Sequence, residues 1–434
     1  MEAVWTRAEA IHAVTSREYE RFVRKICRGV GRGERRFVRE MVWGMVVGQS
    51  MTLSSIGHWI MDGTRRLLYR VKRLSRHLRT PWPRERIEQN HLGSVASLIG
   101  AETSLVIDTS DIRKDRGRAF EYLDYIRDGS RGEQARGYTF ITVTAVLGTG
   151  QQMPLYMAPY SARCPEFESE NVEVLRAVET VVAGIGNNGV WIGDRGFDNW
   201  WLFNELDQRM LRFLVCAYHP RSVLWEGKTE KLTAVGEQMA LPHRMHMMRR
   251  RHVRGNTVKQ KFDVRFGSVP IVLPAMWDAA RGIDVTLHLH LIAVAGYDPS
   301  GARTLFLTNV PMDSADTLRA MVRRYSDRWS VEEGIQFMKQ HFHLEDVRVR
   351  AWCAIEGLLQ CCVLAFAFLA WYLQHVQSHH KRLLPVLCST EADLDPDAHF
   401  LYYRVHTAVV LACSFVQALQ FAKQIGRASC RERV

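Results

Sequence analysis

Four polar residues in the last third of the chain, Tyr325, Arg328, Glu332 and Lys339, are separated by three, four and seven positions. At about 100° per residue they fall within a band about 60° wide on one face of a helix expected over residues 323–342. One stripe therefore carries a phenol, a guanidinium, a carboxylate and an ammonium. The carboxylate can ligate a divalent cation, and the cations can grip phosphate oxygens. Charged helix faces are also common where nothing is bound and the pairs are simply solvated. The stripe therefore has to be weighed with what lies upstream.

Two acids lie upstream. Asp108 closes an apolar run in SLVIDTSDIRKD, and Asp194 follows another in VWIGDRGFDN. Both stand just past the C-terminal ends of expected strands, where ligand sites assemble in open α/β sheets. One acid in such a place is commonly an Asx turn or a helix cap. Two of them with a helical Glu make a stronger pattern. Asp108, Asp194 and Glu332 form an oxygen-only donor set suited to Mg²⁺ or Mn²⁺. Two such ions about 3.5–4 Å apart can serve an in-line displacement at phosphorus. Arg195, Arg328 and Lys339 would hold a DNA backbone beside them. Asp111 competes with Asp108 for the first position, and Asp108 is preferred because it directly follows the strand.

The elements that must position these residues follow from periodicity. Residues 1–95 read as helical and basic, with apolar positions at helical spacing over 18–28 and 34–47. Residues 50–61 resemble the turn and start of a helix-turn-helix, capped by Thr52 or Ser54. Residues 65–79, RRLLYRVKRLSRHLR, mix cations with Leu, Tyr and Val, so one face can be buried and the other offered to phosphates. The sequence TPWP at 80–83 reads as a linker. Strands are expected at 104–107, 138–147 and 152–157, the last two joined at 148–150. A helix (170–182), a strand (190–192), a helix (199–208) and a strand (212–217) follow. This order suggests an α/β domain with a mixed sheet whose first three strands form an antiparallel meander.

Residues 225–304 read as an inserted, mostly β segment. Its stretch LPHRMHMMRRRHVR is expected to be a cationic loop facing nucleic acid. His243, His246 and His252 alone do not complete a metal-ligand set. LFLTN at 305–309 resumes the core sheet, and Asp313 or Ser314 caps the helix that leads to Tyr325. Beyond residue 349 the chain reads as helical and apolar to 423. The run 354–373 is apolar enough to raise a membrane span, but Glu356 and Gln360 lie within it, which favours a buried core helix. The last ten residues, IGRASCRERV, look like a translated sequencing adapter, so the native C-terminus is expected to be missing.

Composition sets outer limits. The 434 residues carry a formal net charge of +12, with 47% hydrophobic and 24% charged residues. That is globular composition with the basic excess a polyanion-binding protein needs, an excess that basic membrane-surface proteins share, so charge alone does not choose between them. The nine cysteines include no C-x-x-C pair, which argues against a zinc ribbon or a disulfide framework and for a reducing cytosol. The N-terminus shows no signal-peptide pattern.

These motifs resemble those of DDE-class bacterial insertion-sequence transposases, in the branch with a Tyr-(2)-Arg-(3)-Glu-(6)-Lys signature. Tyr325, Arg328, Glu332 and Lys339 match every gap of it, and DTSDIRKD and IGDRGFDN look like the family's two Asp motifs. The resemblance covers about residues 100–350. It implies an RNase H-like catalytic core in two parts, 96–224 and 305–349, interrupted by a β-rich insertion at 225–304. A helical DNA-binding domain at 1–95 and a helical C-terminal region at 350–424 would flank the core, with the adapter at 425–434. The implied activity is cut-and-paste DNA transposition with two Mg²⁺ or Mn²⁺ ions held by Asp108, Asp194 and Glu332. Tyr325, Arg328 and Lys339 would contact end phosphates. The implied partners are terminal inverted repeats, target DNA and a second subunit, with no membrane, in a bacterial cytoplasm at the nucleoid. In some relatives a Trp just before the strand matching LFLTN stacks on a flipped base. Thr304 occupies that place here, leaving Trp277 or Trp225 as substitutes. Two other readings stand beside this one: a non-catalytic DNA-binding relic of an insertion element, and a nuclease of RNA–DNA hybrids on the same core.

Overall fold

A computed structural model describes residues 2–60, 66–127, 132–148, 151–217, 220–253, 256–297, 301–379 and 401–431. The expected turn residues 149 and 150, Met61 and residues 380–400 lie outside these, as do the side chains of His252 and of residues 420–434. The described chain divides into two compact units. One comprises Ile99–Asp108 and Asn187–Val331, the other Met1–Leu98, Thr109–Gly186 and Glu332–Val434.

The unit around Asn187–Val331 is built on a sheet. Its order is β1 (Ser104–Arg113), β5 (Val190–Gly193), β6 (Arg212–Cys216), β12 (Thr304–Thr308), β11 (Ile283–Ala295), β10 (Asn256–Asp278), β7 (Ser222–Trp225) and β8 (Lys228–Lys231). β9 (His243–Val253) pairs with β10. The first three strands are parallel, and β12 returns antiparallel to β6. All five residues from Ser104 to Asp108 are buried, as expected for a strand covered on both faces. The helix α7 (Trp200–Gln208) is capped by Asn199, whose side-chain oxygen accepts from the Trp201 amide at 2.9 Å. α8 (Leu232–Gln238) follows β8. α9 (Ala315–His341) begins where the Ser314 hydroxyl accepts from the Thr317 amide at 3.1 Å, which settles the choice of cap.

Residues 243–253 form a strand, not the loop expected from their charge. Met245 and Met247 are buried while Arg244 and His246 are exposed, so the period-two signal of a strand is present beneath the run of cations. Arg244 and His246 both engage Asp263 across the ladder to β10. The strands of residues 225–304 join the same sheet as β12, through β11.

In the other unit the helices dominate. α1 (Glu2–Ile26), α2 (Arg32–Gly48), α4 (Leu67–Arg79) and α5 (Arg84–Val95) pack on α10 (Trp352–His379), as does α11 (Tyr402–Arg431), while α3 (Leu53–His58) packs on α2 and α4, and α6 (Glu170–Ile185) on α5. β2 (Asp124–Arg127), β3 (Gln134–Gly148) and β4 (Gln151–Tyr160) provide a small antiparallel sheet on which α10 packs. β1 neighbours β3, as the expected meander requires, while β2 is an additional short strand. Gly137 lets β3 approach the end of β1, since a Cβ there would stand 2.2 Å from the Ile112 carbonyl oxygen.

α10 is the one helix among the described residues long and apolar enough to cross a membrane, yet 83% of its most apolar window is buried inside the fold. The polar residues within it have partners. Glu356 pairs with Arg84 at 2.8 Å, and Gln360 donates to the Arg84 carbonyl at 2.9 Å. The TPWP segment is no free linker: Trp82 is buried, with its ring 5.2 Å from that of Phe37.

Candidate active site

Asp108 and Asp194 are brought together by register. Ser104 aligns with Val190 and Val106 with Ile192 on neighbouring parallel strands. Continuing that register by two residues sets Asp108 beside Asp194. Adjacent strands lie about 4.8 Å apart, so two carboxylates placed this way can share a cation. Asp108 is buried, while Asp194 is half-buried. The turn after β5 fixes Asp194, whose carboxylate accepts from the Gly196 amide at 2.8 Å. Gly193 is required just before it, because a Cβ would meet the Phe197 side chain at 2.8 Å. Arg195 follows at an exposed position. Behind the turn, Arg221 pairs with the buried carboxylate of Asp198.

α9 carries the four-residue stripe, and its exposure is graded. Tyr325 is 6% exposed, Arg328 and Lys339 are intermediate, and Glu332 is exposed. The Tyr325 ring packs 4.4 Å from Phe306 and 6.0 Å from Tyr297. Burial pushes its hydroxyl above the usual phenol range, and Cys216 and Arg328 are its neighbours. The phenol expected to meet phosphate is therefore turned into the protein, because this end of the stripe packs against β12. The Arg328 guanidinium lies 5.7 Å over the same ring.

Sequence reasoning missed Asp327. The Ser104 hydroxyl donates to its carboxylate at 2.6 Å, tying α9 to β1. Burial raises the Asp327 carboxyl above the usual range, while Ser104 and Arg324 work against that. Asp108 lies four residues beyond Ser104, so strand alternation places both on one face of β1. Arg324, a turn before Asp327, engages Glu102, which also pairs with Arg212 at 3.3 Å.

At the other end of α9, Lys339 lies 3.5 Å from Asp111 and 3.7 Å from Glu345. Asp111, the competing first acid, is thus held by a cation. Lys114 donates to the Glu345 carbonyl, and its burial lowers it to about 8. Among the described residues no three His, Cys, Asp or Glu side chains are grouped closely enough to hold a metal ion. The register of the neighbouring strands, counted on past its last pair, sets two of the three acids level with one another. Their all-carboxylate chemistry and their placement suit a hard cation.

The three residues considered for base stacking differ in placement. Thr304 is buried at the start of β12. Trp277 is 62% exposed near the β10–β11 turn, and Trp225 is half-buried at the end of β7. Asp278, beside Trp277, is bonded by Asn204 at 2.9 Å and by Gln208 at 3.2 Å, and these bonds hold its carboxyl below the usual range.

A family model described as a transposase DDE domain matches residues 100–368, well over half of the chain. Among solved structures the chain is similar to a piggyBac transposase synaptic complex with hairpin DNA, determined by cryo-EM. The identity is 11% and the TM-score 0.39, and the match covers 74% of this chain and 54% of that one. The chain thus spans about half the length of that protein. No curated protein matches it.

Proposed function

The chain belongs to the transposase DDE domain family, and from that premise we propose that it is a DNA transposase of the branch carrying the Tyr-Arg-Glu-Lys signature. It binds the terminal inverted repeats of an insertion element, cleaves at their ends and transfers the freed strand to target DNA. The observation that supports this most is the parallel register of β1 with β5 within the matched region, which, counted two residues past Val106 and Ile192, reaches Asp108 and Asp194. Asp108, Asp194 and Glu332 are the ligands of this reading, and two Mg²⁺ or Mn²⁺ ions would supply activation of the attacking oxygen and charge stabilisation at phosphorus. Arg195, Arg328 and Lys339 hold the DNA backbone close to these acids, offsetting their repulsion of phosphate. Tyr325 acts from beneath, fixing the helix that presents Arg328 and Glu332. Two copies pair two ends in a synaptic dimer, in a bacterial cytoplasm at the nucleoid.

The test is cleavage of duplexes that carry the element's ends. Glu332→Gln and Asp194→Asn should each reduce nicking at least about a thousandfold, since each removes several kcal/mol of metal-borne stabilisation. End binding measured in EDTA should persist in both. Nicking retained in either variant would sink the reading. A wild-type chain that bound its ends with Mn²⁺ present and never cut them would mark a DNA-binding relic instead. Preference for an RNA–DNA hybrid over duplex would mark a nuclease.

A further inference from the structure

α1 carries a second arrangement suited to phosphate. Arg17, Arg21 and Arg24 are separated by four and three residues, so they share a band about 60° wide on one face of the helix, and Arg28 stands in the turn that follows its last residue, Ile26. All four are exposed. From Arg17 to Arg24 the helix rises about 10 Å, the axial length of about three base pairs. The helix is anchored where Asn90 donates to the carbonyls of Ile26 at 3.0 Å and Arg28 at 2.8 Å.

The charges on this face are only partly compensated. Glu18 is fully buried and takes Arg21 at 2.8 Å and Arg17 at 3.4 Å, with His375 of α10 at 3.4 Å from its other oxygen. Glu20, at the margin of the stripe, pairs with Arg39 at 3.1 Å. Among the described residues no carboxylate pairs with Arg24, Lys25 or Arg28. Lys25 lies 5.8 Å over the Trp371 ring, and His375 stacks on that ring at 5.6 Å. These side chains line a groove of about 460 Å³ between α1 and α10. With the indole already covered by His375, the groove offers positive charge rather than a stacking face, which suits a phosphodiester and not a base.

We propose that this face of α1 is a sequence-independent track for the backbone of duplex DNA, additional to the contacts made beside the three acids. It rests on the reading of the chain as a DNA-binding transposase. Arg24, Lys25 and Arg28 make the phosphate contacts. Glu18 holds Arg17 and Arg21 in line and keeps His375 beside Trp371.

The experiment measures binding of the full chain to a labelled duplex of arbitrary sequence, in EDTA, across a range of salt. The slope of log affinity against log salt reports the number of phosphates neutralised, at about 0.9 per contact for B-DNA. The triple variant Arg24→Gln, Lys25→Gln, Arg28→Gln should flatten the slope by about 2.7. Arg24→Lys with Arg28→Lys should leave the slope unchanged, because charge rather than shape is used. A triple variant that melts like the wild type and keeps the wild-type slope would overturn the proposal. A single Arg28→Gln, expected to flatten the slope by about 0.9, decides the matter if the triple variant fails to fold. Wild-type chain that does not bind duplex at all would instead defeat the transposase reading, and this proposal with it.

Discussion

Lys339 lies 3.5 Å from Asp111, and that pair separates the two acids of the first motif. Asp111 is engaged by a cation of α9, whereas Asp108 continues the register toward Asp194. Asp108→Asn is therefore expected to lose cleavage by at least about a thousandfold. Asp111→Asn should retain cleavage and cost under about 1 kcal/mol of stability, the usual worth of a partly exposed ion pair. Parallel nicking assays and denaturant melts of the two variants check this, and the opposite ranking would transfer the first position to Asp111.

Tyr325 is expected to matter through packing. Its ring lies against Phe306 and Tyr297, so Tyr325→Ala should cost about 3–5 kcal/mol. Tyr325→Phe keeps the ring and should cost about 1 kcal/mol, the worth of the lost hydroxyl bond. DNA affinity should hardly change in the Phe variant. A large fall in affinity with unchanged stability would restore a direct phosphate contact.

Ser104 is the donor to a half-buried carboxylate. Ser104→Ala should destabilise the chain by about 1 kcal/mol, because Asp327 loses that bond. Asp327→Asn keeps a polar partner for Ser104 and should cost less. Equal losses for the two would show that the bond contributes little.

Buried His406, beside half-buried His341, gives a pH dependence. His406 Nε2 lies 2.6 Å from the Val46 carbonyl, which can only accept, so that nitrogen carries the proton. Nδ1 is then free to accept from His341 Nδ1 at 2.9 Å. Burial lowers His406 to about 3, and burial lowers His341 as well. The folded chain therefore binds fewer protons than the unfolded one. Stability from His406 is present above pH 6.5 and is lost as pH falls from there toward 3. Unfolding by denaturant at pH 7 and pH 4 should differ by roughly 3 kcal/mol from this site, and His406→Leu should flatten that part of the profile. An unchanged acid slope in the variant would count against it.

Much of this was legible in the sequence because the relevant signals are local. β5 and β6 are short apolar runs, and β1 begins with one before Asp108. The spacing of the stripe placed all four residues on α9. Spacing cannot say which part of the stripe is covered, since that depends on where β12 passes, and so it does not distinguish Tyr325, expected at the end phosphates, from the exposed members. β9 was hidden because cations dominate its composition, although Met245 and Met247 alternate correctly. Asp327 gave no signal, as its role depends on Ser104, 223 positions away in sequence. TPWP has the composition of a linker, but burial of Trp82 is set by Phe37 from an earlier helix.

The position of α10 in the chain has a consequence for biosynthesis. Its span Trp352–Ser378 has a mean hydropathy of 2.0 in its most apolar window, enough to engage membrane-insertion machinery if it emerged unaccompanied. Yet α1, α2, α4, α5 and β4, against which it packs, all precede it. As N-terminal segments leave the ribosome first, a hydrophobic seat is already synthesised when α10 appears. Moving those segments behind it by circular permutation should therefore raise the share of chain that aggregates or is drawn to membranes.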